Sequence, residues 1–221
     1  MVGVAIGVAV LIVVLSVMNG FEHELRSRIL SLTSHATVTA FGEGLAGWDA
    51  MRAPALKNPG VSAAAPFVEA ETLLIADHAA GASSAATLRG IDPVLEAQVS
   101  ALGERLTSGS MQSLQPGSFS ILLGDELASK LGVGPGDAVV VAVAKGNVTP
   151  AGVLPRLRRF EVTGTFRSGM YEIDATLAVV HVADAARLLR LGSNVTGLRL
   201  AVKDPYEAPL AVREVANELG G

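Results

Sequence analysis

Residues 1–20 read MVGVAIGVAVLIVVLSVMNG, and everything downstream is placed by what this stretch is. The first charged side chain is Glu22, and Gly3, Gly7, Ser16 and Asn19 are only mild interruptions. At about 1.5 Å per residue, roughly twenty helical residues reach about 30 Å, the hydrocarbon thickness of a bilayer. In lipid each unpaired backbone amide costs several kcal/mol, and a helix pairs those amides internally. The stretch therefore predicts a transmembrane helix over residues 1–17, with 18–20 at the interface. A buried core helix is one competing reading. A secretory signal peptide is the other, and it needs a basic segment ahead of the apolar run and a small-residue cleavage site behind it. Here the apolar run begins at Met1, and NGFEHELRSR follows without an A-x-A pattern. The membrane reading is adopted, with the expectation that the helix is cut short at its start.

Working outward, Phe21, Leu25, Ile29 and Leu32 recur at three- and four-residue steps, with Glu22, Glu24, Arg26 and Arg28 on other faces. That amphipathic period predicts that the helix continues out of the bilayer as a stalk, up to about residue 33. An ordinary helix packing on its own domain has the same pattern. Two Glu balance two Arg here, so the flank carries no orientation signal.

The 221 residues carry 17 Lys plus Arg against 21 Asp plus Glu, a net charge of −4. That acidic balance and an aromatic content of 4% argue against a nucleic-acid-binding surface. Cysteine is absent, which removes disulfide frameworks and thiolate metal sites. What remains after the helix and stalk is enough for one large domain or two small ones.

Residues 35–41 alternate and are rich in β-formers, so they predict a strand; 48–56 predict a helix ended by Asn58-Pro59-Gly60. A long strand is expected over 61–76, bent near Pro66, then a loop over 79–84 and a strand over 85–91. This order predicts an α+β sandwich with helices on one side of the sheet. Beyond it the expectations are a short helix over 94–102, a polar connection over 107–117, a strand over 118–123, a helix over 125–131 capped by Gly132, and strands over 138–144, 159–166 and 176–181. A helix over 183–191, a strand over 195–202 and a helix over 206–219 complete the chain. The predicted organisation is helix and stalk 1–33, an α+β subdomain begun by 34–94, a β-rich subdomain over 95–192, and a return to the first subdomain over 193–221.

One connection stands out. Residues 145–159, KGNVTPAGVLPRLRR, join two strands by more than the two to five residues of a tight hairpin. Pro150 and Pro155 lack amide protons and oppose strand pairing, which predicts a stiff, extended protrusion. Val153 and Leu154 lie between the prolines, and Arg156, Arg158 and Arg159 follow. Apolar residues on a stiff protrusion beside a basic cluster suit the grasping of an acidic or apolar partner. A variable surface loop with solvated arginines fits the same residues.

Catalytic chemistry finds no support. The histidines, at 23, 35, 78 and 181, have no helical i, i+4 pairing and no H-E-x-x-H. Residues 132–136 are glycine-rich but open no helix and lack a following Lys-Ser/Thr, so they form a turn and not a phosphate cradle. No G-x-S-x-G elbow exists. Glu69 with Glu71, and Glu172 with Asp174, are carboxylate pairs of the kind found on solvated strand faces and turns. No cofactor, no metal and no catalytic residue is expected.

Several stretches together resemble one family. Residues 14–30 (VLSVMNGFEHELRSRIL), 58–69 (NPGVSAAAPFVE), 88–93 (LRGIDP), 121–137 (ILLGDELASKLGVGPGD), 160–174 (FEVTGTFRSGMYEID), 177–189 (LAVVHVADAARLL) and 194–202 (NVTGLRLAV) are similar to the bacterial lipoprotein-releasing permeases of the LolC/LolE type. The resemblance implies a MacB-like periplasmic domain with a porter-like α+β subdomain and an inserted β-rich, sabre-like one. It also implies a permease that works with a second permease subunit and a separate cytoplasmic ATPase, in the inner membrane. Such a system releases lipoproteins to a periplasmic carrier of the LolA type. In LolC-type subunits a protruding hook captures that carrier, and residues 147–159 match it. The resemblance assigns carrier binding to Pro150, Ala151, Gly152, Val153, Leu154, Pro155, Arg156, Arg158 and Arg159, with stiffness from the two prolines, apolar contact from Val153 and Leu154, and electrostatic capture from the three arginines. A single permease combining both roles as a homodimer would look the same. Another MacB-type permease, exporting small molecules or peptides or transmitting a signal, is the alternative. Family members carry four membrane helices, a cytoplasmic loop and a C-terminal membrane bundle, so the sequence is expected to be a fragment.

Overall fold

The computed structural model describes the chain apart from residues 1, 33–35, 40–43, 79–80, 150–151, 204–211 and 216–221; the side chains of 19, 22–32, 144–149 and 152–154 are also left undescribed. A helix of 31 residues, α1 (Val2–Leu32), comes first, about 46 Å of unbroken backbone. All of its described side chains are exposed, so they contribute nothing to a core in this chain. Among the described residues no helix is long and apolar enough to cross a membrane.

The remainder is built on one mixed sheet of nine strands, β1 (Ala36–Thr39), β2 (Val61–Ala76), β3 (Ser83–Ile91), β4 (Leu106–Ser108), β5 (Ser120–Gly124), β6 (Ala138–Thr149), β7 (Gly152–Phe166), β8 (Leu177–His181) and β9 (Gly197–Val202). Strand β2 organises it. Its first half pairs with β9, opposing Val61 to Val202 and Phe67 to Gly197. Its second half pairs with β6 from Thr72 to Ala76, while its other edge holds β3 from Phe67 to Ile75. Strand β9 in turn holds β1.

Following the pairs from β2 through β3, β8, β5, β7 and β6 leads back to β2, so six strands close on themselves. The pairs β3–β8 and β5–β7 are parallel and the others antiparallel. Inward-facing residues alternate as a strand period of two requires: Ala86 and Leu88, Ile121 and Leu123, Val139, Val141 and Val143, Phe160 and Val162, Ala178 and Val180 form one buried cluster. Two helices add to it, α4 (Asp125–Leu131) through Leu127 and Leu131 and α6 (Val182–Leu189) through Ala185 and Leu188. Contact between α6 and β3 is close because Gly90 has no side chain; a Cβ there would lie 2.5 Å from that of Ala185.

A second cluster sits between the β1–β9–β2 ribbon and α2 (Trp48–Ala55), using Ala55, Ala64, Leu198 and Leu200. The opposite face of the same strands is covered by the turn α3 (Pro93–Glu96) and the segment after it, through Leu95 and Val99 against Ala63, Ala65 and Ala201. Helical segments therefore lie on both faces of the sheet, where the sequence pattern predicted one. The reason is that the expected helix over 94–102 is a single turn capped by Asp92, whose carboxylate accepts from the Val94 and Leu95 amides.

The polar connection over 107–117 holds part of the short strand β4, and the turn α5 (Tyr171–Asp174) was also not anticipated. The helix expected over 206–219 lies mostly outside the described residues; 212–215 are helical, and Val215 is buried.

Candidate docking hairpin

Strands β6 and β7 form a long antiparallel hairpin whose pairing runs from Ala138 opposite Glu161 to Thr149 opposite Gly152. The extended loop predicted over 145–159 is thus mostly ladder. Pairing survives Pro155 because it takes no regular ladder position. The register shifts between Val143, opposite Arg156, and Asn147, opposite Leu154, so Pro155 alone on β7 faces the extra residues of β6. A residue without an amide proton is tolerated at such a bulge. Pro150 and Ala151 lie outside the described residues. Gly152, Val153 and Leu154 are located by their backbone register alone, opposite Thr149, Val148 and Asn147.

The base of the hairpin is defined in side-chain detail, and its three arginines part company. Arg156 and Arg158 continue the strand face that carries Phe160 and Val162 into the core. Arg156 Nη1 donates to the Leu189 carbonyl of α6 at 2.6 Å, and its Nε is buried with no hydrogen-bond partner. The Arg158 guanidinium lies 3.8 Å from the ring centre of Phe119, whose ring meets Phe160 edge to face at 5.6 Å. Arg159 points the other way and pairs with Asp77 at 2.7 Å. Pro155 and Leu157 are exposed.

Four residues at this base had no signal in the sequence, because each is brought in from a distant segment. Phe119, Arg187, Leu188 and Arg190 join Pro155, Arg156, Leu157 and Arg158 around a concavity of about 500 Å³. Phe119 takes a positive φ of 52°, unusual for a residue with a side chain. It is held there by the fully buried Asp184 carboxylate, which accepts from the Gly117 amide at 2.8 Å and the Phe119 amide at 3.1 Å.

A smaller cavity of about 200 Å³ lies over the other face of the sheet, lined in part by Glu69, Arg89, Glu96, Arg199, Phe166 and Ile173. Glu96 and Arg199 form a buried ion pair there, and Ser100 donates to the same Glu96 oxygen. Burial pulls the Arg199 guanidinium below its ordinary pKa, and the Glu96 charge opposes the shift.

The chain matches the model of the MacB-like periplasmic core domain over residues 1–218. It is 43% identical over 219 residues to the lipoprotein-releasing system transmembrane protein LolC of Xylella fastidiosa (strain 9a5c), which covers 99% of this chain and 52% of that protein. The protein of the same name from Neisseria meningitidis serogroup B is 42% identical over 207 residues, covering 94% of this chain and 49% of that one. The chain spans about half the length of the curated relatives it matches. In fold it is similar to the extracellular domain of the noncanonic ABC-type transporter YknZ from Gram-positive bacteria, with a TM-score of 0.52 over 86% of this chain and 92% of that one at 14% identity. The chain belongs to the family of MacB-like periplasmic core domains.

Proposed function

We propose that the chain is part of a permease subunit of an ABC transporter that releases lipoproteins from the bacterial inner membrane and passes them to a periplasmic carrier. In this reading α1 is the first transmembrane helix and its exit stalk, and the domain that follows is periplasmic. The division into a porter-like part, 34–94 with 193–221, and a sabre-like part over 95–192 belongs to the same proposal. ATP is hydrolysed by a separate cytoplasmic subunit, and a second permease subunit completes the transporter.

The observation that carries this reading is the β6–β7 hairpin, whose ladder continues from the packed core out to Thr149 and Gly152. Such an arm carries Gly152, Val153 and Leu154 far along its paired ladder, with Arg156, Arg158 and Arg159 at its root. Similarity to proteins named as lipoprotein-releasing LolC subunits supports the assignment of the arm to carrier capture. The test uses the 221-residue chain in detergent and a purified LolA-type carrier. Leu154→Asp and Pro150→Ala are each expected to weaken capture of the carrier in a pull-down by about tenfold or more, since a hot-spot side chain at an interface contributes about 2 kcal/mol or more. Undiminished capture by both variants overturns the arm assignment. No capture by the unaltered chain favours a MacB-type permease with a different cargo.

A further inference from the structure

We propose that the cavity of about 200 Å³ beside the Glu96–Arg199 pair binds a small uncharged molecule with an apolar body and one hydroxyl or amide donor. Glu96, 1% exposed, lines the cavity, and among the described residues its Oε2 is buried with no hydrogen-bond partner. Buried acceptors are nearly always paired, and a carboxylate oxygen short of a donor carries the full cost of its lost hydration. The other oxygen is well served: it accepts from Ser100 Oγ at 2.6 Å and pairs with Arg199. The charge of Glu96 is therefore met, and what Oε2 lacks is a donor rather than a second cation. An O–H or amide N–H supplies one without bringing a further charge into a buried place.

The remaining lining sets the body of the ligand. Phe166 from β7, Ile173 from α5, and Leu177 and Val179 from β8 give the cavity apolar walls. Water meets the oxygen but leaves those walls wet, and an apolar body removes that cost. An apolar cavity of about 150 Å³ in another protein takes up benzene, so this one suits a single ring or a branched chain of similar size bearing one polar group. Glu69 and Arg89, paired at 2.8 Å and partly exposed, line both this cavity and a second concavity of about 310 Å³, which puts the way in beside them. The site shares no residue with positions 150–159 and stands independently of carrier capture.

The experiment is methyl NMR of the full chain in detergent, with Ile, Leu and Val methyls labelled, titrated with benzyl alcohol, toluene and benzylammonium at measured free concentrations. Benzyl alcohol is expected to shift the Ile173, Leu177 and Val179 signals saturably while Ile121 and Val141, in the separate core cluster, stay in place. Toluene, which has no donor, should bind at least about tenfold more weakly, and benzylammonium should also bind more weakly than the alcohol. Ile173→Trp, filling the cavity from a half-buried position on α5, should weaken the alcohol at least about tenfold with the Ile121 and Val141 signals unmoved. The absence of saturable shifts, toluene or benzylammonium as tight as the alcohol, or an unaffected Trp variant overturns the proposal. The comparison of the three ligands uses the unaltered chain, so it decides the matter whatever the variant does to folding.

Discussion

His181 shows how one side chain ties stability to pH. It ends β8 and caps α6, its Nδ1 accepting the Ala183 amide at 3.1 Å, which requires that nitrogen to be unprotonated. Burial lowers its pKa from 6.5, while Asp184 and Asp92 pull the other way. The folded state therefore binds the proton less readily than the unfolded chain, and stability rises with pH wherever the unfolded state holds more protons. The contribution is complete above about pH 6.5 and is lost as pH falls through the lowered value. Urea unfolding between pH 7.5 and 5 should show that loss. His181→Asn should remove this part of the slope while keeping a cap, and His181→Ala should cost about 1 kcal/mol at pH 7.5. The Glu96–Arg199 pair makes a second prediction. Glu96→Gln leaves a buried guanidinium without its carboxylate, expected to cost about 3 kcal/mol in urea unfolding, and the double change Glu96→Gln/Arg199→Met should recover most of it. Neither role was legible in the sequence, where His181 was one of four scattered histidines and Glu96 lay in a supposed helix. Their partners come from segments up to about a hundred positions away.

Among elements, the ones set by local chemistry were read most closely. Helix α4 begins with two acids and ends at Gly132, which takes a φ of 67°. Helix α2 stops ahead of Asn58-Pro59-Gly60 and carries Pro54 in its last turn. The hairpin was misread because pairing depends on register, and register is a property of two strands together. Viewed singly, residues 145–158 contain Gly146, Pro150 and Pro155, all strand breakers. Viewed as a pair, the bulge opposite Pro155 absorbs the second proline. Packing between elements offers its own test at Gly90, where α6 meets β3. Gly90→Ala should destabilise the domain by about 1–3 kcal/mol through overpacking, read as a lower urea midpoint, and adding Ala185→Gly should restore part of the loss.

For the whole molecule, the α+β class, the strand-rich middle and the return of the final strand to the first ones could be read from strand signals and spacing. Closure of six strands could not, because it rests on β2 pairing first with β9 and then with β6, and the bend expected near Pro66 does not tell which strands lie on either side of it. The unbroken backbone of α1 through Leu32 agrees with the period of Phe21, Leu25, Ile29 and Leu32. The two pairings of β2 predict uneven protection of backbone amides. Those of β1 and β9, in a ribbon covered by α2 and α3, should exchange with solvent sooner than those of β5 and β8, which lie in the closed ring; hydrogen exchange resolved by fragment would show the order.

The position of β9 also has a consequence for synthesis. All six strands of the ring lie between Val61 and His181, so the ring can close on a growing chain before residues 197–202 have left the ribosome. Strand β9 then arrives last and takes its place between β1 and β2, which are waiting on either side of an open slot. Until that moment β2 presents an unpaired edge and β1 has no ladder at all. The chain is therefore most exposed to pairing with a stranger in the interval between making its eighth strand and its ninth.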